Sequence, residues 1–317
     1  MTAVVSAAWA SDRRPFVPCT AGDLEWWTAG AGPDVDWTRL ARIWELGGEV
    51  VGWGWINPPG ALDWFLVDGL SAAEDAAVRD SILEWLADSA RATAAATAAA
   101  TTAATAAAAT VEATTDAPVA AAPAASVELE AWAADGWPEQ AALVERGWVP
   151  TDTILTQYLQ TLDVDIAPPR VPDGYTLRSL RGPEEFPARV EVHRAAFAPS
   201  RMTVEKHAIA AAQDHYALDR DIVLEAVDSS FAAFAICWAD PVGSIGEFEP
   251  VGTHPAHQRR GLGRVIVRHG LRLMQAAGLR DALVFSLRSN AASEALYRSA
   301  GFHELALHRR YTKSIET

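Results

Sequence analysis

Apolar and polar positions divide the chain into two runs of elements that follow one order. In the first, GEVVGWGWI (48–56) and ALDWFLVDG (61–69) have the β-branched and aromatic content of strands around an INPPG turn, and AAEDAAVRDSILEWLAD (72–88) follows with helical spacing. In the second, IVLEAV (222–227), FAAFAICWA (231–239) and GEFEPVGT (246–253) read as strands before a helix over 262–277. Both runs close alike. VELEAWAA (127–134), a short helix in PEQAALVERGW (138–148) and the strand ILTQYLQTL (154–162) are matched by ALVFSLR (282–288), NAASEALYRSAGF (290–302) and ELALHRRYT (304–312). Repetition on this scale predicts two units of one α/β architecture.

Two stretches interrupt the pattern. From Arg91 to Ser126 the chain is nearly all alanine and threonine, without a large apolar side chain before Val111 and with Pro118 and Pro123 beyond it. Such a stretch cannot build a packed core, and it is expected to be a disordered, mobile insertion with transient helix from its alanines. APPRVP (167–172) places three prolines in six residues and reads as a stiff linker. The expected organisation is therefore a domain over 1–166 carrying the insertion at about 91–126, a linker over 167–172, and a second domain over 173–317.

Composition limits the chemistry. With 41 acidic against 26 basic residues, a net charge of −15 argues against general affinity for nucleic acid or anionic membranes and favours a cationic partner such as an amine. Cys19 and Cys237 lie far apart and lack metal-ligand spacing, which fits a reduced, cytoplasmic compartment rather than a disulfide framework. The opening MTAVVSAAWASDRR has a short apolar stretch with no basic residue ahead of it, unlike a signal peptide. No run approaches the ~18–20 apolar residues needed to span a bilayer. Oligomeric state leaves no trace in the sequence.

One short stretch departs from the acidic character. QRRGLGR (258–264) gathers Arg259, Arg260 and Arg264 around Gly261 and Gly263 at the mouth of the 262–277 helix. The glycines let the backbone approach a ligand, the first helical turn offers unpaired N–H groups, and the arginines add charge, which together suit a pyrophosphate. The other reading is a basic surface loop that salt-bridges to the acidic remainder. A dinucleotide fingerprint is not met, because Ile266 stands where its third glycine belongs. The matching stretch of the first run, VDGLSAAEDAAVRD, has no glycine pair and carries Asp68, Glu74 and Asp75, which would repel an anion.

The run V-x-T-H-P-x-x-Q-R-R-G-L-G (251–263) resembles the acetyl-CoA signature of the GNAT superfamily of N-acetyltransferases, and N-A-A-S-E-A-L-Y-R-S-A-G-F (290–302) resembles that family's second signature. The resemblance covers about residues 173–314. It implies a mixed β-sheet flanked by helices, whose fourth and fifth strands splay into a cleft for the pantetheine arm of acetyl-CoA. By position, the backbone of Val251, Gly252 and Thr253 would pair with pantetheine. Gln258 and the amides of Arg259, Arg260, Gly261, Leu262, Gly263 and Arg264 would hold the pyrophosphate, and Asn290 and Tyr297 would lie near the thioester. The first run resembles the same fold faintly. Its AALVERGW (141–148) echoes ALYRSAGF, but Val144 stands near the tyrosine position, which implies a degenerate GNAT-like domain in tandem with a catalytic one, with structural or substrate-shaping duty.

The implied activity is transfer of an acetyl group from acetyl-CoA to a primary amine, of a small molecule or of a protein N-terminus or lysine, by direct attack in a ternary complex. The rival is an acyl-CoA-binding sensor or scaffold without turnover. Transfer needs a group to take the amine's proton, a donor for the oxyanion and an acid for the thiolate. The resemblance assigns the acid role to Tyr297, whose other reading is packing of its helix on the sheet. Glu247 and Glu249 alternate with Phe248 and so share one face of a strand, where either could receive the proton directly or through water. Solvent exposure or ion pairing with substrate is the alternative for both. A backbone N–H near Val251 to Thr253 would meet the oxyanion.

Other residues take structural readings. His254 and His257 lack a third ligand, so no metal site is expected. Cys237 reads as a small core side chain, and Trp26, Trp27, Trp53, Trp55 and Trp64 as core and cleft wall. Asp214, Asp219, Asp221 and Glu225 read as a solvated acidic face or as an attractor of the amine.

Overall fold

A computed structural model describes residues 1–11, 17–33, 35–57, 60–109 and 126–316, with backbone alone over 94 and 96–109. The chain opens with helices α1 (Thr2–Ala10), α2 (Ala21–Ala31) and α3 (Trp37–Leu40), then strands β1 (Ala41–Leu46), β2 (Glu49–Asn57) and β3 (Ala61–Leu66), and helix α4 (Ala72–Ala109). There follow β4 (Ser126–Ala134), α5 (Pro138–Glu145), β5 (Val149–Thr161), β6 (Tyr175–Ser179), α6 (Phe186–Ala196) and α7 (Val204–Ala211). The last elements are β7 (Asp221–Ala226), β8 (Phe231–Asp240), β9 (Ile245–Thr253), α8 (Leu262–Ala276), β10 (Asp281–Leu287), α9 (Ala291–Ala300) and β11 (His303–Glu316).

Two compact units alternate along the chain. Unit 1 comprises Met1–Val35 and Thr153–His308, and unit 2 comprises Asp36–Asp152 and Arg309–Thr317. The division falls within β5 and β11, each of which lends residues to both units.

The sheet of unit 1 runs in the order β11-β5-β10-β9-β8-β7-β6. At its middle, FAAFAICWAD of β8 is buried at all ten positions, because successive side chains point to opposite faces and a helix covers each. On one face Cys237 lies under Gly270 of α8; on the other Trp238 lies under Gly22 of α2. Glycine permits both approaches, since a Cβ at either position would fall within 2.7 Å of the side chain beneath. Helix α8 turns Leu262, Val265, Ile266, Leu271 and Met274 inward, the spacing of one helical face.

Strands β9 and β10 are parallel, and they pair only over Ile245–Glu247 with Asp281–Leu283. β9 stays paired to β8 as far as Thr253, and β10 to β5 as far as Leu287. Past Glu247 the two central strands therefore part, and β9 keeps alternate N–H and C=O groups pointing away from β8. The expected splayed, mixed sheet is present.

Unit 2 has the order β1-β2-β3-β4-β11-β5, antiparallel through β1-β2-β3 and parallel between β3 and β4. Its core gathers Trp44, Ile56, Leu62, Trp64, Ile82, Leu86, Leu129, Leu143, Trp148 and Tyr311. Trp53, Trp55 and Trp64 are buried, as their reading as core side chains expects.

The division by contacts departs from the expected domains over 1–166 and 173–317, because Met1–Val35 and Thr153–Ile166 belong to unit 1 and Arg309–Thr317 to unit 2. The prolines of 167–172 lie within unit 1, on the return from β5 to β6. That return is tied to α8: Gln275 donates to Leu162 O at 2.6 Å and Val164 O at 2.9 Å, and Arg272 to Ile166 O at 2.7 Å. Residues 91–109, expected as a mobile insertion, continue α4, where alanine's helix propensity outweighs the threonines. Residues 110–125 lie outside the described residues.

Candidate active site

The site assembles in unit 1 where β9 leaves β10. Phe248 points into the core at 0% exposure, so Glu247 and Glu249 point to the opposite face, and α2 lies over them. Helix α2 starts with a reciprocal cap: Thr20 N–H donates to Asp23 Oδ2 at 2.8 Å, and Asp23 N–H to Thr20 Oγ1 at 3.2 Å. The Thr20 hydroxyl also donates to Glu247 Oε2. Glu247 is 1% exposed, and its Oε1 meets no N–H or O–H donor among the described residues. The Asp23 carboxyl, at the start of α2 beside Thr20, acts on Glu247 as a neighbouring acidic group.

The electrostatics follow from this enclosure. Burial, then the Asp23 charge, pushes Glu247 well above the usual carboxylate range. Burial raises Asp23 to about 6, although its hydrogen bonds pull the other way. Glu249 is raised to about 8, by burial first and Asp23 second, with Trp26 acting weakly in the other direction. Tyr297, on α9 and 5% exposed, is pushed up by burial and by Glu249, so its hydroxyl keeps its proton at neutral pH. Its ring packs 6.0 Å from Tyr158 and 5.9 Å from Phe302. Glu247, Glu249 and Tyr297 thus form one electrostatic group, and the exposed alternative for the glutamates gives way to engagement by α2.

Beyond Thr253 the chain makes a single 3-10 turn at Pro255–His257 and enters α8. Arg259 takes φ 59° and Gly261 φ 78°, left-handed conformations that turn the backbone into the helix. No side chain caps the start of α8, and its first turn carries no acidic residue. Arg259, Arg260, Gly261 and Arg264 are exposed there, whereas Leu262 is buried beneath. Arg260 is steadied by Tyr175 Oη at 3.2 Å, which also bonds His257 Nδ1 at 2.9 Å; Gln258 donates back to Thr253 O at 3.4 Å. Gly252 is required by Phe234, which a Cβ would meet at 2.4 Å, and a Cβ at Gly263 would meet Leu296 of α9 at 3.1 Å. Val251, Gly252 and Thr253 occupy the stretch of β9 that β10 leaves. Asn290 caps α9, accepting from Ser293 N–H at 3.2 Å, so its side chain serves its own helix.

In unit 2 the start of α4 is closed. Ser71 Oγ accepts from Glu74 N–H at 3.3 Å while Ser71 N–H donates to Glu74 Oε2 at 3.0 Å, and Glu74 and Asp75 fill the first turn with negative charge. That helix end repels what α8 attracts.

Sequence reasoning missed Thr20 and Asp23, whose one signal is T-A-G-D at 20–23, the pattern of a capped helix start, which does not reveal what the helix covers; Trp26 reads in the sequence only as core and cleft wall. The acidic residues of the second half need correction. Asp221 is fully buried, accepting from Arg189 at 2.8 Å and Tyr216 Oη at 3.2 Å, with His207 Nε2 at 3.1 Å, and Glu225 pairs with Arg178 at 2.6 Å. A solvated face holds for the exposed Asp219 but not for these two. Cys237 is a buried thiol at 0% exposure, as read from its strand. Among the described residues, no group of three or more His, Cys, Asp or Glu side chains is placed to hold a metal ion, and no helix is long and apolar enough to cross a membrane.

Comparison with known proteins fits this geometry. The acetyltransferase (GNAT) family matches residues 188–302. The mycothiol acetyltransferase of Tsukamurella paurometabola is 30% identical over 196 residues, 58% of this chain and 67% of that one. The chain spans 57% to 67% of the length of the curated relatives it matches. Among solved structures, a GCN5-related N-acetyltransferase from Sphaerobacter thermophilus superposes with TM-score 0.67 at 14% identity, covering 100% of this chain and 92% of that one. A tandem GNAT protein from the clavulanic acid biosynthesis pathway gives TM-score 0.59 at 13% identity, covering 99% and 93%. Both are likenesses of fold along the whole chain.

Proposed function

This chain belongs to the GNAT acetyltransferase family, and from that premise we propose that unit 1 is an acetyl-CoA-dependent N-acetyltransferase acting on the primary amine of a small molecule. The parting of β9 from β10 beside an uncapped, arginine-flanked helix start carries the reading, because it joins an open strand edge to an anion site. Those features fit coenzyme A: the edge at Val251, Gly252 and Thr253 suits an amide-bearing arm, and Gln258 to Arg264 suit its pyrophosphate. When bound, acetyl-CoA supplies the thioester that the amine attacks.

The chain's own groups handle the protons. Glu249 takes one from the ammonium, leaving a neutral amine with its lone pair free. A backbone N–H between Val251 and Thr253 meets the charge that develops on the acetyl oxygen. The Tyr297 hydroxyl gives its proton to the departing sulfur. Glu247, bonded by Thr20 and raised well above the usual carboxylate range by burial, keeps its proton, which favours Glu249 as the base. Unit 2, with its acidic and internally capped α4, takes a structural or substrate-shaping role in the tandem.

Calorimetry with acetyl-CoA on wild type and on Gly261→Glu/Gly263→Glu, followed by thiol-release assays across amines, tests the assignment. The panel begins with the acceptor of mycothiol acetyltransferases. Binding that the glutamates abolish, without loss of melting temperature, is expected. Absence of binding by wild type overturns the cofactor site, and binding without thiol release for every amine overturns turnover in favour of a sensor.

A further inference from the structure

The described residues before Asp36 lie outside the stretch that the family matches, yet they are fastened within unit 1 at several points. Gln157 donates to Val17 O at 3.0 Å, Trp9 to Cys19 O at 2.7 Å, and Lys206 to Gly30 O at 2.7 Å. Glu25 pairs with His215 at 2.6 Å, and Gly22 sits on Trp238. This clamp holds Thr20 on Glu247 and brings Asp23 and Trp26 beside the two glutamates. Asp23 and Glu247 are buried and Glu249 half-buried there, and among the described residues no cationic side chain is ion-paired to any of the three. Charge buried in this way is costly unless it is protonated or matched by a cation.

We propose that Asp23 is a positioning residue of this site: it shares one proton with Glu247 beneath α2, keeps one negative charge beside Glu249, and so makes Glu249 the proton acceptor for a strongly basic alkylammonium substrate. The proposal rests on the acetyltransferase reading above. With one proton between them, Asp23 and Glu247 carry a single negative charge, and a nearby negative charge makes a carboxylate hold its proton more firmly. The groups facing Glu249 agree in sign. Helix α2 brings Asp23 and the neutral donor Trp26, β9 brings Glu247, and α9 brings the protonated Tyr297. From β8, Trp238 donates to the backbone oxygen of Glu249 at 2.6 Å. From α6, His193 packs 6.0 Å from Trp26 and is held neutral by burial. The cation that completes the group is then the substrate ammonium. In the transfer step an N–H bond of the ammonium breaks and the proton goes to a Glu249 carboxylate oxygen; the freed nitrogen pair would form the C–N bond as the thioester C–S bond breaks, the leaving thiolate would take the Tyr297 proton, and the second proton lost by the nitrogen would restore Tyr297.

The test is infrared titration of the ligand-free protein together with kcat/KM against pH. The carbonyl stretch of protonated carboxyl groups is followed from about pH 5 to about pH 10, a range beyond the ordinary carboxylates. The band lost in Glu249→Gln identifies Glu249. In Asp23→Asn, which keeps an acceptor for the Thr20 amide, that band and the acidic limb of kcat/KM are expected to move to lower pH, with melting temperature and acetyl-CoA affinity kept. A Glu249 midpoint unchanged or raised in Asp23→Asn overturns the proposal. So does a wild-type spectrum with no carboxyl proton above neutral pH, whatever the variants do. Failure of wild type to turn over any amine would instead strike at the acetyltransferase reading, because the infrared result needs no turnover.

Discussion

Gly270→Ala sets two opposing effects against each other at one position. Alanine in a helix interior is worth ~1 kcal/mol over glycine, so propensity alone makes the variant more stable. The added Cβ, however, would lie 2.2 Å from Phe248 Cε1 and 2.7 Å from Cys237 Sγ. Carbon atoms rest about 3.5–4 Å apart, so α8 and the sheet must separate by roughly 1 Å or more. Phe248 and Cys237 are both at 0% exposure, which leaves neither ring nor sulfur an empty space to enter. Overpacking of this kind costs ~1–3 kcal/mol, and the clash distance places this site at the upper end. A net loss of ~1–2 kcal/mol is expected, which for a unit of this size lowers the melting temperature by ~2–8 °C. Because α8 opens at the arginine loop, acetyl-CoA affinity should weaken as well. Circular dichroism melting and calorimetry give the two readouts. Gly30→Ala, whose Cβ meets nothing within 4 Å, controls for propensity and should not destabilise. A Gly270→Ala protein that melts at or above wild type, with affinity kept, would refute the packing argument.

Tyr297→Phe should lower kcat by ~10²–10⁴-fold in thiol-release assays with little change in the acetyl-CoA KM, the range for loss of a general acid; an unchanged kcat would remove Tyr297 from the chemistry. Asp221→Asn should cost ~3–5 kcal/mol in denaturant unfolding by stranding Arg189. Burial pushes Asp221 up, but Arg189 and His207 outweigh it and hold it below its ordinary value. Its stabilisation is thus present above the carboxylate range and lost as pH falls, and the variant should respond less to acid. His193 and His308 are each pushed down to about 4, by burial first, while unfolded histidine titrates near ~6.5. Between those values the unfolded chain takes up protons that the folded chain refuses, so stability should decline as pH falls through that window. Urea unfolding that is flat from about pH 6.5 to about pH 4 would contradict this.

The parts of the site legible in the sequence are those whose chemistry is local. Gly261 had to be glycine for a left-handed turn into α8, and the absence of any cap or acid in that turn could be read from neighbouring residues. The order of strands and helices in the second half followed from period and turn signals for the same reason. What escaped depends on distant partners. Thr20 meets Glu247 across 227 positions, and T-A-G-D announces only a helix start. Asp221 looks like its acidic neighbours until Arg189 and His207 are folded against it. The prolines of 167–172 mark a stiff passage equally well between domains or within one, and only the bonds from Gln275 and Arg272 decide.

The alternation of the units along the chain also sets a timetable for synthesis. At roughly 5–20 residues per second, α2 leaves the ribosome about 11–45 s before Glu247 exists for it to cover. Unit 2 in turn waits for Arg309–Thr317, which follow the whole of unit 1 in sequence. Neither unit closes on a continuous stretch of chain, because each is built from two separated segments. A translation product stopped before β9 holds α2 without Glu247, and one begun after Val35 holds Glu247 without α2, so the contact between Thr20 and Glu247 needs both ends of unit 1.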